Sequence, residues 1–253
     1  MSPTIWTRCA GSSKKRPISG TFRRVVEAQF RNSTRKLVDS DTEQAVLEEL
    51  LDAHAKPPVP PEFAGLHYLL STPFRHPPLR NGSRFGTRGE RGILYGAREL
   101  PTAFAEVAYY RLLFLEGTGA DLGTVSVELT AFSFGIAARR AIDLTRAPFA
   151  SFEGEISSKT SYQAPQQLGH EMRTSGAQCC LYVSARAPGR SVCIAVFDDV
   201  FHPRRPSAEE RWACVASRTR VEFTSGGLLR APLRHAYERS QFLVRGRLPA
   251  PAA

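Results

Sequence analysis

The 253-residue sequence has no run of about 18 apolar residues, the length a helix needs to cross a bilayer, so no membrane span is expected. Its opening MSPTIWTRCAGSSKKR lacks the apolar stretch of a secretory signal, and a cytoplasmic protein is expected. The five cysteines (Cys9, Cys179, Cys180, Cys193, Cys214) show neither CxxC spacing nor a histidine cluster. No metal site is expected, and an odd count without a signal suits a reducing compartment. No G-x-G-x-x-G follows a strand and no G-x-x-x-x-G-K-[ST] is present, which argues against a Rossmann dinucleotide site and a P-loop. Internal repeats are absent too.

Acidic residues are in deficit, 24 against 34 basic, for a net charge of +10. Such a balance attracts nucleic acid, an acidic protein or a phosphate-bearing substrate, unless it is merely a basic surface. Much of the excess lies outside the central block, in Lys14, Lys15, Arg16, Arg23, Arg24 and the arginines from Arg204 onward, which favours a partner surface. The aromatic-plus-basic pattern of single-strand binders and a helix-turn-helix are both missing.

What is present falls into three parts: 1–61, 62–205 and 206–253. The first is a basic tail followed by two expected helices. One has Phe22, Val25, Val26 and Phe30 on one face; the other opens at Ser40 with capping-box spacing to Glu43 and continues through Val46, Leu47, Leu50 and Leu51. Lys56-Pro-Pro-Val-Pro-Pro61 reads as an extended linker. In the second part, strands are expected at Leu66–Leu70, Gly92–Ala97, Thr124–Leu129 and Arg140–Leu144, with a helix from Pro101 to about Gly117 and another over 162–174. Cys179–Ser184 and Ser191–Phe197 flank Ala-Pro-Gly as a hairpin. The last part is basic; Ser207–Trp212 is expected to open a helix and Val221–Phe223 a strand.

The organising stretch is Ser83–Arg111, SRFGTRGERGILYGARELPTAFAEVAYYR. Arg84, Tyr95 and Glu106 stand eleven residues apart in turn. Glu106 is the only charged side chain between Thr102 and Tyr110, among alanine, valine, phenylalanine and tyrosine. A carboxylate there must face solvent, find a partner or line a cleft. Facing solvent is the plain alternative for Glu106, a surface ion pair for Arg84, and turn chemistry for Ser184 at a strand end.

GSRFG at 82–86, GILYGA at 92–97, TAFAEVAYYR at 102–111, AIDL at 141–144 and the serine of LYVSAR at 181–186 together resemble the RES domain family. The resemblance covers roughly 65–197 and implies an α+β fold of the ADP-ribosyltransferase type, with a split curved β-sheet and flanking helices. It also implies a toxin of a toxin–antitoxin pair that cleaves NAD at the nicotinamide–ribose bond, with no metal.

Carried onto this chain, the catalytic residues are Glu106, Arg84 and Ser184. Glu106 stabilises the ribosyl cation, Arg84 holds the pyrophosphate or ribose, Tyr95 stacks on nicotinamide, and Ser184 hydrogen-bonds the ribose or Glu106. A first-strand arginine common in the family is replaced here by Leu66-His67-Tyr68, leaving His67 or Arg75 as candidate substitutes at the NAD site. Phe85-Gly86 also departs from the family's usual Trp-Asn. The implied partners are NAD and an Xre-like helix-turn-helix antitoxin, in a homodimer or a toxin–antitoxin hetero-oligomer. The alternatives are a mono-ADP-ribosyltransferase acting on protein and a non-enzymatic basic nucleic-acid-binding protein.

Overall fold

Residues 3–28, 40, 43, 57–78, 80–226 and 232–250 are described in the computed structural model. Their frame is one eight-stranded sheet built from β1 (Arg16–Glu27), β2 (Leu94–Ala97), β3 (Val125–Asp143), β4 (Cys179–Val183), β5 (Val192–Val196), β6 (Ala208–Ala216), β7 (Arg220–Ser225) and β8 (Leu233–Glu238). The order is β1-β2-β5-β4-β3-β6-β7-β8, and β1 also pairs with β3. The first five strands therefore close into a ring, and β6-β7-β8 continue outward from β3. The 19-residue β3 is where the sheet divides. One side of it pairs with β1 along Leu129–Ala141, while the other takes β6 over Val125–Ser133 and then β4, in parallel, at Ala141–Asp143. The fold is mixed α+β with a curved sheet, as expected.

The helices whose bounds fall among the described residues are α1 (Ile5–Arg8), α2 (Tyr68–Arg75), α3 (Leu100–Gly117), α4 (Glu153–Ile156) and α5 (Gln163–Thr174). They make both faces of the ring strands interior. Phe22, Leu94, Phe134, Ile194 and Val196 pack with Leu69, Leu70 and Phe74 of α2. The opposite face sends Ala97, Tyr182, Cys193 and Ala195 against Phe104, Ala108 and Leu112 of α3 and Leu168 and Met172 of α5. Each large side chain so buried contributes about 1.5–3 kcal/mol. Among the described residues no helix is long and apolar enough to cross a membrane.

Several expectations are corrected. Residues 21–27 are strand, not helix: β1 meets β3 at eleven register positions. Phe22 packs on one face and Val25 on the other, so burial on both sides hid the strand's alternation. Leu66–Leu70 is not a strand; His67 caps α2, whose Leu69, Leu70 and Phe74 recur at helical spacing. Val125–Leu129 and Arg140–Asp143 belong to the single strand β3, and Ala208–Trp212 lies in β6 rather than a helix. The expected helix through Val46, Leu47, Leu50 and Leu51 lies outside the described residues. Pro57–Pro60 carry no regular structure, and although a domain boundary is expected at Pro61, residues 16–27 form a strand of the same sheet as the rest.

Candidate active site

Gly82 has φ +70°, and a Cβ there would sit 2.3 Å from the Gly86 carbonyl, so only glycine lets the chain turn back into the Ser83–Gly86 loop. Buried Gln166 of α5 holds that loop, its Nε2 donating to the carbonyls of Asn81 (3.0 Å) and Ser83 (3.1 Å). Tyr95 of β2 holds it from the other side: its hydroxyl donates to Ser83 Oγ (2.9 Å) and accepts from the Phe85 N–H (3.0 Å). The loop delivers Arg84, only 7% exposed, whose Nη1 donates to the carbonyls of Ile156 (3.1 Å) and Ser158 (2.9 Å). Its guanidinium lies 5.2 Å from the Tyr162 ring centroid.

Helix α3 brings Glu106 to the same place. Pro101 stands in its first turn, and the helix is buried along Ala105, Ala108, Tyr109 and Leu112. Glu106 is half-buried and accepts a 2.6 Å hydrogen bond from Ser184 Oγ, just past the end of β4. The Ser184 oxygen itself accepts the N–H groups of Arg186 (3.1 Å) and Ala187 (3.0 Å). With those two donors in place, the hydroxyl proton is directed at the carboxylate.

Arg84, Tyr95 and Glu106 border a cleft of about 540 Å³ that is also lined by Tyr110, Tyr162, Tyr182 and Cys193 and by Arg23 and Arg24 of β1. Burial drives the Tyr95 and Tyr182 hydroxyls and the Cys193 thiol far above their ordinary pKa values, so all three stay protonated at neutral pH. Burial lowers the Arg24 guanidinium to about 10. Arg24 Nη1 donates to the Tyr95 carbonyl (2.5 Å), while its Nε is sealed from solvent without a partner. A buried, unpaired guanidinium nitrogen at a cleft wall fits an anionic ligand.

The structure thus brings Arg84, Tyr95, Glu106 and Ser184 together, but not His67 or Arg75. His67 is absent from the cleft wall, its Nδ1 accepting from the Leu69 N–H (3.4 Å) at the start of α2. Arg75 Nε donates to the Pro57 carbonyl (2.6 Å), also outside the cleft. The first strand to line the cleft is β1, which contributes Arg23 and Arg24. The β-branched context of Phe-Arg-Arg-Val-Val was the available signal for that strand. Gln166 had no signal in the sequence, since its role depends on α5 lying against a distant loop. Among the described residues no group of three or more His, Cys, Asp or Glu is placed to hold a metal.

No curated protein matches the chain. A solved structure of the M. tuberculosis MbcT-MbcA toxin-antitoxin complex contains a chain 14% identical, with a TM-score of 0.45, covering 76% of this chain and 80% of that one. The family model of the RES domain matches residues 59–216, more than half of the sequence and including Arg84, Tyr95, Glu106 and Ser184. The chain belongs to the RES domain family.

Proposed function

We propose that this protein is a toxin that breaks the nicotinamide–ribose bond of NAD and arrests growth by depleting it. The reading rests on the family membership and on one observation: a carboxylate fixed by Ser184 on the wall of a cleft that also carries guanidinium and tyrosine groups. When the bond breaks, its electron pair leaves with the pyridinium ring as neutral nicotinamide, and positive charge develops on the ribose C1′ and ring oxygen, as in glycoside cleavage. Glu106 is the counter-charge. Ser184 occupies Oε1, leaving Oε2 for a ribose hydroxyl. A preorganised group of this kind supplies about 2.7–4 kcal/mol of barrier lowering.

Tyr95 and Tyr182 give the ring apolar faces, with stacking worth about 1 kcal/mol. Arg84 and Arg24 supply donors for the pyrophosphate. The acceptor, water or phosphate, attacks C1′ and gives up its proton, which closes the balance at ADP-ribose or its 1-phosphate.

An antitoxin of the Xre-like helix-turn-helix class would silence the protein by covering the cleft mouth. A second groove supports such a partner: about 420 Å³, lined by Val25, Val26, Val107, Tyr110, Phe114 and Leu129 together with the Arg111–Glu27 ion pair, it shares Val25, Val107 and Tyr110 with the cleft. Tyr110 and Phe114 are 52% and 60% exposed.

The test is incubation with NAD, following nicotinamide, ADP-ribose and ADP-ribose 1-phosphate with and without phosphate. Nicotinamide release matched by free ADP-ribose products supports the reading. Intact NAD, or label fixed on protein in place of free products, overturns it.

A further inference from the structure

Arg186 lies two residues past Ser184, is 6% exposed, and does not line the cleft. Its side chain crosses to two other elements. The guanidinium carbon sits 3.5 Å from the centroid of the Tyr109 ring, three residues beyond Glu106 on α3. Nη2 donates to the Lys159 carbonyl (3.2 Å), and Nη1 is buried without a partner. Leaving a buried N–H unpaired is costly, so the gain must come from what the rest of the side chain holds.

The segment reached at Lys159 is the one that grips Arg84 through Ile156 and Ser158. It is tied to β4 as well, because Ser157 Oγ donates to the Val183 carbonyl (2.6 Å), one residue before Ser184. Residues 156–159 thus grip both arginines by their carbonyls, and the Arg186 main chain donates to Ser184 Oγ. Arg84, Glu106 and Ser184 come from three separate elements, and Arg186 touches the helix that carries Glu106, the turn that carries Ser184 and the segment that grips Arg84.

We infer that Arg186 is a positioning residue: clamped between Tyr109 and Lys159, it fixes the Ser184 turn so that the hydroxyl proton points at Glu106. It acts through Ser184, not on the substrate. A planar guanidinium does this by stacking and donating at once, which a lysine ammonium does not reproduce.

The inference builds on the NAD reading, and the experiment separates the two. Arg186→Lys is expected to lower kcat for nicotinamide release roughly tenfold, with KM for NAD changed less than about twofold, because misplacing a reacting group costs rate and not uniform binding. On a Ser184→Ala background the same substitution should cost nothing further. Additive losses in that cycle, or an unchanged kcat in the folded variant, overturn the inference. Should Arg186→Lys fail to fold, Tyr109→Leu removes the plate beneath the guanidinium and must give the same kcat loss and the same non-additivity. If wild-type protein releases no nicotinamide, the NAD reading falls and amide hydrogen exchange decides the positioning role alone. The N–H groups of Arg186 and Ala187 should then exchange at least about tenfold faster in the variant, and unchanged protection sinks the inference.

Discussion

At the scale of single residues, the site depends on charges held in fixed surroundings. Glu106→Gln keeps the shape and an acceptor for Ser184 but removes the counter-charge, so NAD turnover should fall by about 10²–10³ with the melting temperature nearly unchanged. Nicotinamide release and a thermal melt on the same sample check both halves. Arg24 is expected to set an alkaline limit on binding at the site. Burial disfavours its charged form, so the empty folded protein loses this proton at about pH 10, well before the unfolded chain would. The sign follows: the buried cation is a stability penalty at lower pH that is relieved as pH rises through its folded pKa. An anion in the cleft favours the protonated form. Affinity for NAD should therefore be flat through neutral pH and weaken above about pH 10, and Arg24→Met should remove that alkaline limb while weakening binding throughout. A titration of Kd against pH for both proteins tests it, and an identical alkaline limb in the variant would count against the assignment.

At the scale of elements, α3 decides where Glu106 points, and besides the ring strands it rests on β6, β7 and β8. Phe104 packs 4.7 Å from the Trp212 ring and 4.4 Å from the Phe223 ring, centroid to centroid. Tyr237 donates its hydroxyl to the Pro101 carbonyl (2.6 Å), and Tyr109 donates its own to the Pro249 carbonyl. Phe104→Ala should cost about 3–5 kcal/mol through the cavity it leaves, read as a lower denaturant midpoint at unchanged m-value. In the sequence, α3 was legible because Pro101 and Gly117 bracket an apolar period, and the β4–β5 hairpin because Ala-Pro-Gly separates two apolar runs. Arg84, Tyr95, Glu106 and Ser184 were legible only as a set, through the family pattern. β1 and α2 were misread in opposite directions. β1 is apolar on both faces and so imitates a helix over a short window. Leu66–Leu70 is too short for its period to show, and the His67 cap that starts the helix carries little signal. Of the C-terminal strands, Val221–Phe223 was legible and lies in β7, whereas β6 was obscure because its apolar face, Trp212 and Cys214, is needed only once α3 lies across it.

At the scale of the whole molecule, the family match and the folded unit differ in extent. The match covers 59–216, yet the strand that closes the five-stranded ring is β1, and it brings Arg23 and Arg24 to the cleft. Beyond the match, β7 and β8 complete the bed of α3. A fragment of residues 59–216 would leave the β3 edge open along Leu129–Ala141, with its backbone donors and acceptors unpaired in an apolar surround, and would uncover Phe104. It should show no cooperative melt, bind an apolar dye and release no nicotinamide. Adding back residues 1–28 as a separate peptide should restore part of the strand pairing, since β1 joins the sheet by edge addition. A fragment of 59–216 that melts cooperatively alone, and cleaves NAD at the rate of the full chain, would show that β1 and the C-terminal strands are ornaments on a self-sufficient domain. The shared sheet and the two arginines at the cleft argue the opposite: β1, β7 and β8 are structural parts of the unit that builds the candidate site.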